Sequence, residues 1–506
     1  MKYRPLMILG SGSDVGKSVV VAGLCRLFAQ EGVRVAPFKA QNMALNSFIT
    51  PEGGEMGRAQ VVQARAAGIS PHVDMNPILL KPSSEVGSQV IVHGRVLGNL
   101  SARDFYRLKP RLVRQVMASF RRLAEKYELI ILEGAGSAVE LNLKAHDLVN
   151  FSMARRADAQ VLLVADIERG GVFAATIGAF LLLTPAERRR LKGFIINKFR
   201  GDPALFDQGV TIIERRTRRP VLGVLPYLPD LALPEEDSVA LRRKQRNAAT
   251  WSEDGRLRVG VVRLPHISNY TDFDPLEREP GVALRYLEAG DELEAADLVI
   301  LPGSKNTLAD LAYLKETGLF QRLRDFAGQG GYLLGVCGGY QMLGLTVHDP
   351  LGVEGPPGGE AAGLGLLPVI TTMAAVKTTT QVRAQALTGE ARGEILEAYE
   401  IHMGVTRTVG PGEPLFRLLT VNGRPADGTD GWRSADGRVA GTYLHGLFDR
   451  DGFRRAFLRE LARRRGRQAL FAPHSFEHFQ EDQFNRWAAV LRQHLDLAAL
   501  WDLIRK

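Results

Sequence analysis

The sequence predicts an α/β protein built from two doubly wound domains. Three observations carry that expectation. Short continuous apolar runs alternate with longer helical patterns, which is how parallel strands covered on both faces read. Two of these runs end in glycine-framed turns that carry a chemically useful side chain, Lys17 in one and Cys337 in the other. The alternation stops once, in a polar stretch, and then restarts, which divides the chain. At 506 residues there is ample length for more than one core.

In chain order, strands are expected at residues 6–9, 33–38, 129–132, 161–164 and 194–196. Their spacing leaves room for right-handed crossover helices. Residues 229–255 break the rhythm with Pro-Glu-Glu-Asp, Arg-Arg-Lys-Gln-Arg and few large apolar residues, the composition of a linker. Strands resume at 259–262, 298–301 and 332–336. The Gly- and Pro-rich residues 349–365 read as a surface loop. After Asp449 the chain turns helical and Arg-rich, a solvated packing element rather than a functional basic patch.

Composition excludes several classes. Apolar residues make up 45% and charged residues 24%, which rules out disordered, collagenous and coiled-coil chains. The longest apolar run, 172–183, is too short and too rich in Ala and Gly to span a bilayer. The first residues lead straight into a strand pattern, so no leader is expected. Two cysteines, Cys25 and Cys337, exclude a disulfide framework and a cysteine zinc site and suit the cytoplasm. A net charge of +9 fits an anionic small-molecule ligand; glycine-rich loops explain anion binding better here than a nucleic-acid patch does. Neither a nucleic acid nor a membrane is expected as partner, and the oligomeric state is not legible.

The first strand runs into Gly10-Ser11-Gly12-Ser13-Asp14-Val15-Gly16-Lys17-Ser18, with a helix pattern behind it. The strict Walker spacing fails by one residue, because Ser11 stands where it needs glycine; the longer spacing from Gly10 fits a variant loop. Glycines 10, 12 and 16 let backbone N–H groups converge on phosphate oxygens at a helix N-terminus. Lys17 supplies a mobile charge for the outer phosphates, and Ser18 a hydroxyl for Mg²⁺. Glu133, in Glu133-Gly134-Ala135-Gly136-Ser137 directly after a strand, is a second candidate magnesium ligand. Asp166 to Gly171 and Asn197 to Asp202 follow later strands in the same manner, so Asn197 joins the nucleotide-site candidates.

The second site reads as strand, sharp turn, helix: Tyr332-Leu333-Leu334-Gly335-Val336-Cys337-Gly338-Gly339-Tyr340-Gln341. Small neighbours permit the strained elbow that exposes a nucleophile above a sheet, and a helix N-terminus behind Cys337 favours its thiolate. His445 is the candidate base. Pro302-Gly303-Ser304-Lys305, after another strand, places Gly303 and Ser304 as oxyanion-hole candidates together with Gly338. Cys25, on the first helix, reads as core.

These residues carry a resemblance. Gly335 to Met342 together with His445 resembles the triad-type glutamine amidotransferases. The phosphate loop and the Glu-Gly-Ala-Gly turn resemble the dethiobiotin-synthetase-like P-loop ATPases. The fusion resembles the cobyrinate amidating family. Phe38-Lys39-Ala40-Gln41-Asn42-Met43-Ala44-Leu45-Asn46-Ser47, Glu55-Met56-Gly57-Arg58-Ala59-Gln60 and Tyr399-Glu400-Ile401-His402-Met403-Gly404 resemble the branch that completes peripheral amidation. The implied organisation is a P-loop ATPase domain over 1–232, a linker over 233–255, a glutamine amidotransferase domain over 256–450 and a helical tail over 451–506.

The resemblance implies an enzyme that uses glutamine as ammonia donor, ATP and Mg²⁺. It would amidate the b, d, e and g carboxylates of a corrinoid, adenosylcobyrinic acid a,c-diamide, to adenosylcobyric acid in cobalamin biosynthesis. Glutamine would be hydrolysed through a thioester on Cys337 with His445 as base, and the substrate carboxylate activated as an acyl phosphate. It further implies Glu55 as a magnesium ligand beside Glu133, and Asp147, in His146-Asp147-Leu148-Val149-Asn150, near the acyl-transfer site. One position departs from the pattern. Many triad amidotransferases carry Glu two residues after the histidine, where this chain has Leu447. A Cys/His dyad, a carboxylate from elsewhere and slow glutaminase chemistry all remain open, and lower glutaminase activity without loss of function is the expectation.

Overall fold

The computed structural model describes residues 1–82, 87–234, 251 and 254–505. They form two compact units, each with its own sheet. Unit 1 comprises residues 1–43, 56–234 and 480–506; unit 2 comprises 44–55 and 235–479.

The central sheet of unit 1 contains β1 (Leu6–Gly10), β2 (Val35–Phe38), β3 (Leu129–Glu133), β4 (Gln160–Asp166), β5 (Leu191–Phe199) and β6 (Val221–Pro226), in the order β6-β5-β4-β1-β3-β2. Every pairing is parallel. β1, β3 and β4 are buried along their whole length, the reason each reads as an unbroken apolar run. The five expected strands all form; β6 was missed because, at the sheet edge, it buries only Leu222 and Leu225 and so shows no unbroken apolar run.

Unit 2 repeats the plan with β7 (Leu257–Val262), β8 (Val282–Leu287), β9 (Leu298–Leu301), β10 (Tyr332–Val336), β11 (Trp432–Arg433) and β12 (Val439–Thr442), in the order β8-β7-β9-β10-β12-β11. Only the short β11–β12 pair is antiparallel. A five-stranded antiparallel sheet, which includes Thr378–Ala386 and Ile395–His402, ends in the two-residue strand Leu444–His445. The expected loop at 349–365 is in part a hairpin arm: Gly359–Ala362 pairs antiparallel with Thr346–Asp349.

The domain boundaries depart from a simple cut in two ways. Residues 44–55 belong to unit 2, where Ser47 N–H donates to Asn269 Oδ1 (3.0 Å), Tyr399 OH donates to the Ser47 carbonyl (3.3 Å) and Glu55 pairs with Lys377 (2.6 Å). The C-terminal residues do not form a separate tail. Residues through Phe479 join unit 2 and those from Gln480 join unit 1, where Trp487, Leu491 and Ile504 enter the core under the first helix. Nor is the Arg-rich stretch fully solvated. Arg454 is 2% exposed and donates to Glu279 (2.8 Å) and to the Phe448 carbonyl (2.7 Å). Of the expected linker, residues 235–250, 252 and 253 lie outside the described residues.

Candidate active sites

In unit 1 the phosphate loop connects β1 to the helix Lys17–Gln30. Gly16 caps that helix at φ +95°, and a Cβ there would collide with the Asn197 amide. Asn197 reciprocates, its Nδ2 donating to the Val15 carbonyl at 2.9 Å. It thus acts on the loop backbone from below. Lys17 Nζ donates to the carbonyls of Gly12 (2.8 Å) and Gly136 (2.9 Å), which folds it across the loop. The clusters after β4 and β5 reach the same loop: Lys198 Nζ donates to Asp166 Oδ2 (2.9 Å) and to the Asp14 carbonyl (2.6 Å), and Arg169 pairs with Asp14.

Glu133 closes the site at the end of β3. Its Oε1 accepts from Ser18 Oγ at 2.8 Å and from Lys39 Nζ at 2.7 Å. Its Oε2 accepts from Gln63 Nε2 at 2.5 Å and from Gln60 Nε2 at 3.3 Å. Burial alone would raise the pKa of this fully enclosed carboxyl. The Lys39 charge and hydrogen bond, with those from Gln63 and Ser18, reverse that and hold it below the usual range. Glu133 is therefore an ionised carboxylate beside a hydroxyl. Both are hard oxygen donors, and Mg²⁺ at a phosphate site takes one or two such groups alongside phosphate oxygens and water. Among the described residues there is no cluster of three or more acidic, His or Cys side chains arranged for a metal.

Lys39, Gln60 and Gln63 were not singled out individually from the sequence. Lys39 and Gln60 fall inside the segments that carry the resemblance, and their side chains converge on one acid.

Two expected residues have partners that the sequence did not show. Glu55 lies in unit 2, almost wholly buried, with its carboxylate on Lys377 Nζ at 2.6 Å. Asp147 is tied up by backbone. Oδ1 accepts from the N–H groups of Val149 (2.9 Å) and Asn150 (2.8 Å), and Oδ2 from Ser152 (2.9 Å). Asn150 in turn clamps the turn after β3, bonding both the carbonyl (2.9 Å) and the N–H (3.0 Å) of Ala135. Cys25 is buried core, its thiol pKa pushed up by burial and then by the Glu133 charge.

In unit 2, Cys337 stands at φ +53°, ψ −109°, between β10 and the short helix Gly338–Leu343. This is the strained turn expected of a nucleophile elbow. Its Sγ lies 3.5 Å from the Ile401 carbonyl. His445 is 1% exposed and Tyr399 stacks beside it, ring centroids 5.3 Å apart. His445 Nδ1 meets Asp272 Oδ2 at 2.6 Å, and Asp272 Oδ1 accepts from Gly446 N–H at 3.1 Å. Nε2 is buried with no hydrogen-bond partner of normal length.

Burial would lower the His445 pKa. The charge and hydrogen bond of Asp272, joined by Cys337, overcome burial and raise it to about 10. Nearby His402 goes the other way. Burial first, then the cationic His445 and Lys377, lower it to about 4 against a raising bond to the Gly404 carbonyl.

The carboxylate missing at 447 is therefore supplied from elsewhere, by Asp272 on the short helix Tyr270–Phe273 that follows β7. Sequence reasoning missed it, although Asn269-Tyr270-Thr271-Asp272 is a polar cluster after a central strand, the signal that exposed the clusters in unit 1.

The oxyanion candidates come together. A Cβ on Gly338 would sit 2.8 Å from Ser304 N, and one on Gly303 would sit 3.1 Å from His445 Cε1, so this loop packs against both halves of the pair. The Ser304 hydroxyl is engaged with Asp310 Oδ2 at 2.6 Å, which leaves the backbone N–H groups as the oxyanion candidates. Gln341, one turn past Cys337, accepts from Thr307 Oγ1 (2.8 Å) and donates to Tyr443 OH (3.1 Å).

Comparisons with known proteins agree with this division. Residues 6–240 match the model of the CobQ/CobB/MinD/ParA nucleotide binding domain, and residues 258–453 that of the CobB/CobQ-like glutamine amidotransferase domain. The chain is 55% identical to a cobyric acid synthase of Syntrophobacter fumaroxidans, over 99% of both chains. It is 48% identical to one of Sorangium cellulosum, over 99% of this chain and 98% of that one, and 49% identical to one of Klebsiella pneumoniae with the same coverage. Among solved structures, a glutamine amidotransferase matches 40% of this chain and 98% of its own, at 20% identity and a TM-score of 0.30. Among the described residues, no helix is long and apolar enough to cross a membrane.

Proposed function

The chain belongs to the cobyric acid synthase family of glutamine-hydrolysing ligases, and from that premise we propose that it amidates the b, d, e and g carboxylates of adenosylcobyrinic acid a,c-diamide through an acyl phosphate, with ammonia from a Cys337–His445–Asp272 glutaminase. The family amidates in cobalamin biosynthesis with glutamine and ATP; which carboxylates react, and how, is the finer reading. The observation that carries the glutaminase half is the 2.6 Å contact of Asp272 with His445 Nδ1. It fixes the imidazole so that Nε2 serves the sulfur.

In that half, His445 holds the Cys337 proton on Nε2 as an imidazolium, and Sγ attacks the glutamine carboxamide carbon as the thiolate. The N–H groups of Gly338 and Ser304 receive the negative oxygen. His445 returns its proton to the departing nitrogen, and ammonia leaves a thioester on Cys337. His445 then takes a proton from water, which attacks the thioester and releases glutamate. Asp272 keeps its bond to Nδ1 throughout and stabilises the imidazolium.

In the synthetase half, a carboxylate oxygen of the corrinoid attacks the γ-phosphorus of ATP and ADP leaves. Ammonia attacks the resulting acyl phosphate and phosphate departs. A carboxylate is a poor electrophile, so this activation is what makes the amide accessible. Lys17 and the loop N–H groups orient and neutralise the phosphates. Ser18 and Glu133 would hold Mg²⁺, which supplies further neutralisation of phosphate charge when bound. Lys39, Gln60 and Gln63 keep Glu133 ionised and in place.

The test is mass spectrometry of adenosylcobyrinic acid a,c-diamide incubated with protein, Mg·ATP and glutamine, with Cys337→Ala in parallel. Four successive carboxyl-to-amide conversions are expected, lost in the variant with glutamine and restored by ammonium. ATP turnover without any mass change would remove the corrinoid reading. Turnover of unamidated cobyrinic acid instead would move the enzyme to the preceding pair of carboxylates.

A further inference from the structure

Unit 1 holds a second concavity that the nucleotide site does not use. It is a cleft of about 480 Å³ bordered by the helix Ala102–Lys126, the turn Lys144–His146, the helix Phe151–Arg156 and the helix Pro185–Arg190. That volume is within the range of small-molecule sites.

Its charge balance is one-sided. Lys109, Lys144, Arg155, Arg156 and Arg190 line it. Its two acids are already engaged: Asp147 accepts from three backbone N–H groups, and Glu187 accepts from Lys144 (2.7 Å) while capping its own helix through Thr184. Lys109 donates to the His146 carbonyl at 2.5 Å, a neutral acceptor. Burial holds its pKa below the usual lysine value, more than the Asp147 charge compensates. The Arg155 guanidinium is exposed and has no hydrogen-bond or ion-pair partner among the described residues. A half-buried ammonium on a carbonyl and an open guanidinium in one concavity favour an anion with more than one negative group.

The cleft also has an apolar surface. Tyr106 and His146 stack with ring centroids 4.6 Å apart and 13° between planes, and Lys109 Nζ lies 4.8 Å from the Tyr106 centroid. It adjoins the phosphoryl site through bonded neighbours. Asp147 holds the Asn150 N–H, Asn150 clamps Ala135, and the next residue, Gly136, accepts from Lys17 Nζ.

We infer that this cleft seats the rim of the polycarboxylate corrinoid, with Lys109 and Arg155 binding carboxylates that are not being activated and the Tyr106–His146 pair receiving an apolar edge of the macrocycle. The inference rests on the corrinoid reading above. It makes Asp147 a positioning residue for the cleft wall and the Ala135 turn, not a group in acyl transfer. The cleft is smaller than a whole corrinoid, so it takes one side of the ring at a time. An enzyme that activates four different carboxylates needs an anchor that accepts whichever acidic or amide side chains are presented, and an open guanidinium beside a half-buried ammonium meets that need better than a fixed bidentate clamp.

The test uses the full-length protein, with equilibrium dialysis and steady-state kinetics on adenosylcobyrinic acid a,c-diamide. Arg155→Glu and Lys109→Met are expected to raise the KM and dissociation constant for the corrinoid about 10-fold or more while moving the KM for ATP far less, and Arg155→Lys to recover most of the loss. Arg155 is exposed, so its charge reversal reads binding even if Lys109→Met fails to fold. Corrinoid constants within two-fold of wild type in Arg155→Glu overturn the cleft assignment. Failure of the wild-type protein to bind or convert the corrinoid instead overturns the function reading itself, and the cleft assignment with it.

Discussion

Asp272 and His445 stand 173 residues apart in sequence and meet at 2.6 Å in a buried hydrogen bond. The contact gives the proposed Cys337–His445 pair an acid, and that acid comes from a different element than the local pattern would suggest. Asp272→Asn should lower kcat for glutamine hydrolysis by about 10²- to 10⁴-fold and leave amidation with ammonium in place. A steady-state glutaminase assay beside an ammonium-driven assay checks both halves.

The same contact predicts a pH profile. His445 is raised from 6.5 to about 10, so the imidazole keeps its proton across neutral pH. Its contribution to stability is full below the unfolded value and is lost as pH rises through about 10. Wild-type glutaminase should show no imidazole-linked limb between pH 6 and 9, and Asp272→Asn should bring one into that window. A neutral limb in the wild type would contradict the pairing.

Leu447 occupies the position where a triad acid would follow the histidine, and it is 2% exposed in the unit 2 core. With Asp272 already on Nδ1, Leu447→Glu should not increase glutamine turnover. Burying an unpaired carboxyl among apolar neighbours should instead lower the melting temperature by roughly 5–10 °C. Calorimetry and the glutaminase assay together decide the point.

Glu133 is the hub of four side-chain donors. Glu133→Gln removes the charge opposite Lys39 and turns one carboxylate oxygen into an amide donor where only acceptors suit the neighbouring donors. Corrinoid amidation with Mg·ATP should fall by about 10²-fold or more, with glutamine hydrolysis assayed separately still detectable. Lys39→Met should shift the magnesium dependence, because the carboxylate loses its fixed cation.

Asp430 has its pKa raised from 3.8 to about 7, burial outweighing its bonds from Thr442 and the Tyr443 N–H. A raised folded pKa means stability that is full at low pH and declines as pH climbs through about 7. Asp430→Asn should therefore flatten the pH dependence of unfolding between pH 4 and 7 by about one proton. The Thr442 carbonyl also accepts from the Cys337 N–H at 2.8 Å, so this acid braces the strand beneath the elbow.

What the sequence revealed was local. Gly16-Lys17-Ser18 and Gly335-x-Cys337-Gly338 declare themselves because the strain of a tight turn restricts the residues within a few positions. Buried central strands declare themselves through unbroken apolar runs. Asp272, Lys39 and Gln63 did not, because each becomes functional only through a partner far along the chain. Glu55 was legible only as an acid in a motif; its buried partner, Lys377, lies 322 residues along the chain. The C-terminal arginines read as one solvated stretch because charge alone does not distinguish an exposed guanidinium from Arg454, enclosed on Glu279.

Residues 44–55 carry a consequence for how such a gene can be rearranged. They lie early in the chain yet complete unit 2, bonding Asn269 just ahead of Asp272, Tyr399 beside His445, and Lys377. A split between the two halves of the coding sequence would strand this piece on the wrong polypeptide. The downstream product would keep Cys337, His445 and Asp272 but lose the strand that braces their neighbours. Fission into two subunits is thus obstructed by the weave of the backbone itself, and a circular permutation or a transplanted strand would have to precede it.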